Sequence, residues 1–312
     1  MGLLLILGGF SLLALPGCSA PLGRRLPAAE WARLCQLAVL AGVVVVETAL
    51  VLYALPTVLR AAGVPALAAM CERALRGFVP GGTPAGWVAA VVAAATGGMG
   101  VVGAVRARRG CRAVRAESWL GEHGNFDGYD LVVLPTDQVI ALSVADGAGQ
   151  ILVSRGLVDA LTDDELEMVV RHEAAHLDLG HQRWLGLAAA LDRGFGFFWP
   201  AKRSTEVLRA SLERCADDAA TGDDPQRRAQ LRAALLGLTA MAVGAELAAF
   251  SAADTVVERL DALRRDRPQP RVAVRGLLYL PGVSVASMVL FAAGAWGGEA
   301  RMLIAMAGRC PI

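Results

Sequence analysis

At 312 residues, 55% hydrophobic and only 19% charged, the chain is poorer in charge than a soluble domain, which carries about 25%. A mean hydropathy of +0.49 and a net charge of +1 argue against a wholly soluble polar protein and against nucleic-acid binding through bulk positive charge. The apolar residues fall in long uncharged runs, so the composition implies a membrane protein with one polar domain.

The first run, 2–20, is short and contains Pro16. It reads either as a short span or as a processed signal, with Leu15-Pro16-Gly17-Cys18 loosely resembling a lipoprotein processing site. The lack of a positive segment before it favours the span. Runs 34–55, 85–105 and 276–297 each have about the 20 residues that a crossing needs. Glu47 lies midway along the second run and reads as a hydrogen-bonded acid at a helix contact. Gly97, Gly98, Gly100 and Gly103 in the third suit close helix packing.

Arginines set the expected orientation. Arg24, Arg25 and Arg33 separate the first two runs, Arg106, Arg108, Arg109, Arg112 and Arg115 follow the third, and Arg271 and Arg275 precede the fourth. Four crossings put all three clusters on one side, which the positive-inside rule makes cytoplasmic. Arg60, Arg73 and Arg76 on the outer loop weaken this assignment without reversing it. The expected organisation is a three-span region over 1–105, a cytoplasmic domain over 106–275, and a fourth span with a short external tail over 276–312. The chain then sits in the cell (inner, cytoplasmic) membrane as a multi-pass protein. Cys71 and Cys310 share the outer face, as a disulfide or as two unpaired thiols. The six cysteines contain no C-x-x-C pair, so a cysteine metal or redox site is unsupported.

Within the polar domain, Tyr129–Leu134, Val139–Val144 and Gln150–Ser154 read as strands of a small sheet. His123 falls in a polar stretch that reads as a solvated loop. Thr162-Asp163-Asp164-Glu165 forms a capping box, and the helix it starts runs to about Leu179, with Gly180 as its C-cap. That helix carries His172-Glu173-Ala174-Ala175-His176, the H-E-x-x-H pattern. Residues four apart share a helix face, so His172 and His176 can present two nitrogens to one zinc ion. Glu173 is rotated off that pair and suits a general base acting on water.

A catalytic zinc site needs a third protein ligand and an open fourth position. Glu213, on a helical stretch over 204–220, is the leading candidate, and Asp217, one turn on, can hydrogen-bond a ligand imidazole. His181 is the rival ligand. The apolar stretches 184–199 and 235–250 read as core helices or as segments lying against a bilayer.

These residues resemble the BlaR/MecR-type integral membrane zinc metallopeptidases and are also similar to their relatives, the HtpX and CAAX-protease-type gluzincins. The resemblance runs from Gly156–Leu161 through Asp164-Glu165-Leu166 and Val169–His176 to Glu213–Asp218, and covers about 130–265. It implies one zinc ion per chain on His172, His176 and Glu213, with Glu173 as general base. Val257–Leu263 resembles the late arginine-containing segment of these families and suggests Arg259 near the site, although a surface ion pair is the simpler reading of that residue. The receptors of the family carry a penicillin-binding domain after their last span. The sequence ends at Ile312, so no such sensor is expected in cis.

The expected fold is therefore an α-helical membrane protein, with about four transmembrane helices and an α+β, zincin-like (gluzincin) cytoplasmic domain whose small sheet precedes the H-E-x-x-H helix. The expected function is a membrane-embedded zinc endopeptidase. Its partners are the lipid bilayer and a protein or peptide substrate, with no direct nucleic-acid binding. A cytoplasmic transcriptional repressor, as in BlaR-like signalling, is the preferred substrate, ahead of HtpX-like quality control of membrane proteins. A non-catalytic signalling protein with a structural zinc site is the competing class. Val139–Val144 can pair with an extended substrate at the sheet edge.

Overall fold

The computed structural model describes residues 2–75, 83–145, 149–243 and 250–265. The chain opens with helices. α1 (Gly2–Cys18) has 17 residues and Pro16 inside it. The one-turn α2 (Ala20–Gly23) leads to α3 (Ala28–Ala61), α4 (Pro65–Ala74) and α5 (Thr83–Ser118). The segments 28–61 and 84–110 are long and apolar enough to cross a membrane. They contain the expected runs 34–55 and 85–105. Both helices outrun those spans, because arginine is a good helix former and does not end a helix. Thus α5 continues through Arg106 and Arg115 to Ser118. α1, with 17 residues, is at the short end of the roughly 17–25 residues of a crossing. The run 276–297, with Arg271, Arg275 and Cys310, lies outside the described residues, and so does any pairing of Cys71 with Cys310. Cys71 itself is buried on α4.

A four-stranded sheet follows: β1 (Glu122–Phe126), β2 (Tyr129–Leu134), β3 (Ala141–Val144) and β4 (Gln150–Ser154), in the order β1-β2-β4-β3. β2 and β4 are parallel, and the outer pairs are antiparallel. β1 corrects the reading of His123 as a loop residue. Its side chains are mostly exposed, so it lacks the apolar alternation by which a strand is recognised. The missed signal is Asp127-Gly128, whose φ values of 48° and 90° make the tight hairpin turn that Asp-Gly favours. His123 Nδ1 lies 3.0 Å from Asp130 on β2. β3 starts two residues later than the run Val139–Val144 suggested.

The remaining elements are helical: α6 (Arg155–Ala160), α7 (Asp163–Asp178), α8 (His181–Phe195), α9 (Trp199–Thr221), α10 (Pro225–Val243) and α11 (Phe250–Arg264). α7 begins with the expected capping box: the Thr162 hydroxyl accepts from the Glu165 N–H, and the Glu165 carboxylate accepts from the Thr162 N–H. One face of the sheet, through Ile151 and Val153, packs on Val169, Val170 and Ala174 of α7. α7 also packs against α9 and α10, so its two flanks carry different partners.

The helical layers are joined by α8 and α9. Leu191, Phe195 and Ala201, around the turn between them, share one apolar cluster with Leu13 of α1, Val46 and Tyr53 of α3 and Ala89 of α5. Further along α9, Leu208 and Leu212 pack against Trp31 and Cys35 at the start of α3. The stretch 184–199 is thus mostly a core helix, α8, followed by a tight turn. The stretch 235–250 belongs to α10 up to Val243, and residues 244–249 lie outside the described part. Between α5 and α8 only some of the expected glycines permit close approach. A Cβ on Gly103 would lie 2.9 Å from the Ala190 Cα, and one on Gly194 would lie 2.8 Å from the Thr96 carbonyl oxygen. Among the described residues nothing lies within 4 Å of a Cβ on Gly97 or Gly98, so the close packing expected of them is not made there. Glu47 on α3 accepts a 2.7 Å hydrogen bond from Thr96 on α5.

Candidate metal centre

α7 carries His172 and His176 on the face it turns to α9, where Glu213 and Asp217 lie one turn apart. The His172 and His176 Nε2 atoms are 3.1 Å apart. Glu213 reaches both, with Oε2 at 3.3 Å from His172 Nε2 and Oε1 at 3.5 Å from His176 Nε2. One donor atom from each of the three lies within 4.8 Å of the others. A tetrahedral zinc ion with ligand bonds of 2.0–2.2 Å holds neighbouring donors about 3.3–3.5 Å apart. The 3.1 Å between the imidazole nitrogens, and the 3.3 and 3.5 Å from them to the two Glu213 oxygens, lie close to that, so the residues fit the ion.

Behind this group sits a buried charge network. Asp217 Oδ1 is 3.0 Å from His172 Nδ1, although the ring N–H is not aimed well along that line. Arg259, from α11, grips Asp217 in a fork: Nε donates to Oδ2 at 2.8 Å and NH2 to Oδ1 at 2.6 Å. Its NH1 lies 3.1 Å from Glu213 Oε2. The Arg259 side chain is only 12% exposed, which overturns the reading of a surface ion pair. One cation thus faces two carboxylates, which leaves a surplus of negative charge next to the histidines.

The protonation states follow from these contacts. Burial opposes ionisation of Glu213, but the contact with His172 and the charge of Arg259 outweigh it and hold the carboxyl down at about 2. Burial likewise opposes charge on Asp217, and Arg259 more than compensates, so it is an anion. Burial lowers His176 to about 4, leaving a neutral imidazole. For His172 burial works the same way, but the carboxylates of Asp217 and Glu213 prevail and raise it to about 9 in the metal-free protein. Burial raises the pKa of Glu173, partly offset by the charge of His172 and by a hydrogen bond with the Ser143 side chain of β3.

His181 does not join the donor group. Its Nδ1 contacts the Nδ1 of His176 at 3.0 Å, on the far side of that ring from Nε2. His123, on β1, is remote from the group in sequence and pairs with Asp130 instead. Sequence reading missed Ser143 and its partner Gln182, whose amide donates to the Ser143 carbonyl at 2.7 Å. Both contacts depend on how β3 docks beside α7 and α8, and no local pattern announces them.

Residues 126–248 match the family model described as peptidase family M48. The matched stretch runs from the end of β1 past α10 and contains the α7 and α9 residues of the site, but not Arg259. Members of that family are zinc metallopeptidases, so the match supports a metallopeptidase domain over this stretch. The match does not extend to the BlaR/MecR type in particular. No curated protein and no solved structure matches the chain.

Proposed function

We propose that the chain is a zinc endopeptidase held in the membrane, with its site facing the cytoplasm. The observation that carries this reading is the convergence of His172, His176 and Glu213 at zinc-like donor spacing, inside the stretch similar to peptidase family M48. A zinc ion held there supplies Lewis acidity toward a water molecule and a peptide carbonyl.

The protein's own residues do the rest. Glu173 accepts the proton of the attacking water on its carboxylate and delivers it to the leaving amine nitrogen. Its raised proton affinity, caused by burial, suits a group that must hold that proton between the two steps. Asp217 orients His172, and Arg259 holds Asp217 and Glu213 as anions. β3 is an edge strand of the sheet and the strand nearest α7, so an extended substrate can pair along it. Three protein ligands leave a position open, as catalysis needs, whereas a structural site would fill all four with protein groups.

Membrane attachment rests on the helices over 28–61 and 84–110. The described residues bury 17% of the apolar window of the second, as expected of a lipid-facing helix. The turn between α8 and α9 presents Phe197 and Trp199, both more than 70% exposed, beside the cluster shared with α1, α3 and α5. The four-crossing, cytoplasm-facing topology follows from the arginine clusters and the fourth run, 276–297. A cytoplasmic repressor is the preferred substrate and a membrane protein the second, a ranking that rests on the BlaR/MecR resemblance.

The test is zinc content and peptide cleavage by the detergent-solubilised chain and by Glu173→Ala. The wild type is expected to hold one zinc and cleave. The variant is expected to keep the zinc and lose about 10²–10⁴-fold in rate. A wild type without zinc sinks the site assignment, and a fully active variant sinks the mechanism.

A further inference from the structure

We propose that His181 is a positioning residue for His176: its Nδ1 accepts the Nδ1 proton of His176 and so fixes the tautomer whose Nε2 lone pair faces Glu213 and His172. The inference rests on the zinc reading above and adds a role for a residue which that reading leaves idle.

With zinc taking the Nε2 lone pair of His176, one arrangement of protons is left. The two Nδ1 atoms are 3.0 Å apart, so a single hydrogen lies between them. Both rings are buried, His176 at 5% and His181 at 2% exposed. The rings meet edge to face, at 77° and 4.9 Å between centroids, so the contact is a hydrogen bond rather than a stack. His176 Nε2 points at His172 Nε2 and Glu213 Oε1. A neutral imidazole that offers a lone pair from Nε2 carries its hydrogen on Nδ1. His176 is therefore the donor, and His181, protonated on Nε2, is the acceptor.

A local feature of the chain puts His181 there. Five residues further along an uninterrupted helix, a side chain points about 140° away from His176. Helix α7 ends before that point, and Gly180 takes a left-handed conformation, φ 62° and ψ 35°. Past this turn His181, the first residue of α8, meets His176 of α7. The two candidate ligand histidines thus meet different groups at Nδ1, the Asp217 carboxylate for His172 and the His181 imidazole for His176. Partners of this kind set ring orientation and metal affinity, and their loss weakens binding about 10–100-fold.

The experiment measures zinc affinity by competition with a chelator, using the full-length detergent-solubilised wild type, His181→Leu and His181→Asn. Asparagine can place an amide oxygen where Nδ1 sits, and leucine offers no acceptor. His181→Leu is expected to lose about 10–100-fold in zinc affinity and His181→Asn to recover most of it. Equal affinity for Leu and wild type overturns the proposal, and so does an Asn variant as weak as Leu. The chain has four histidines, so ¹⁵N-histidine spectra of the zinc-loaded wild type give a readout that needs no variant. His176 is expected to be protonated at Nδ1 and His181 at Nε2, and a proton on His181 Nδ1 overturns the assignment even if a variant fails to fold. Absence of zinc from the wild type would sink the underlying site reading as well. Zinc binding with an unaffected Leu variant would sink this inference alone.

Discussion

Arg259 faces Glu213 and Asp217 across contacts of 3.1 and 2.6 Å, and all three side chains are largely removed from water. Removing one partner of a buried pair leaves the others uncompensated, at a cost of about 3–5 kcal/mol. Arg259→Met is therefore expected to lower the thermal unfolding temperature in the presence of chelator, and zinc is expected to restore part of it by supplying the missing positive charge. Arg259→Lys is expected to rescue poorly, because an ammonium cannot reproduce the fork on Asp217. An unfolding temperature for Arg259→Met equal to that of wild type would contradict the buried network. At this scale the sequence was informative where interactions are local. The spacing of His172 and His176 follows from the helical repeat. Nothing within a few residues of Arg259, Ser143 or His181 discloses what each touches, because every one of those contacts crosses between elements.

Among the elements, α7 combines a strong start with two differently occupied faces. The reciprocal bonds of Thr162 and Glu165 satisfy two N-terminal donors, so Thr162→Ala is expected to destabilise the domain by about 1 kcal/mol without changing the proposed metal ligands. Denaturant unfolding checks this, and zinc stoichiometry is expected to stay the same. α5 and α8 meet where Gly103 lies against Ala190, so Gly103→Leu is expected to cost about 1–3 kcal/mol by forcing the helices apart. Gly97→Leu, where no described residue lies within 4 Å of the added Cβ, is the matched control and is expected to leave stability unchanged. Helices α3, α5, α7 and α9 were legible from apolar runs and caps. β1 was not, because a polar outer strand is stabilised by its ladder to β2 rather than by apolar alternation.

Across the whole molecule, α9 joins two environments. Its first residues lie in the apolar cluster with α1, α3 and α5, and Glu213, 14 residues beyond Trp199, is about 21 Å further along the axis. If α3 and α5 cross the bilayer, the site lies within a helix length of the hydrocarbon. The chain is then expected to stay in the membrane pellet after alkaline carbonate washing, whereas release into the supernatant would refute the membrane reading. By itself the sequence determined the apolar helices that contain 34–55 and 85–105, the capping box and the spacing of two imidazoles beside a carboxylate, because these depend on composition and on residues within one helical turn. Only the tertiary structure decided that Glu213 reaches both imidazoles, that Asp217 and Arg259 form a buried pair behind them, and that His181 stands at the back of His176. Those relations depend on how α7, α8, α9 and α11 pack, and packing is set by the burial of apolar faces distant in the chain.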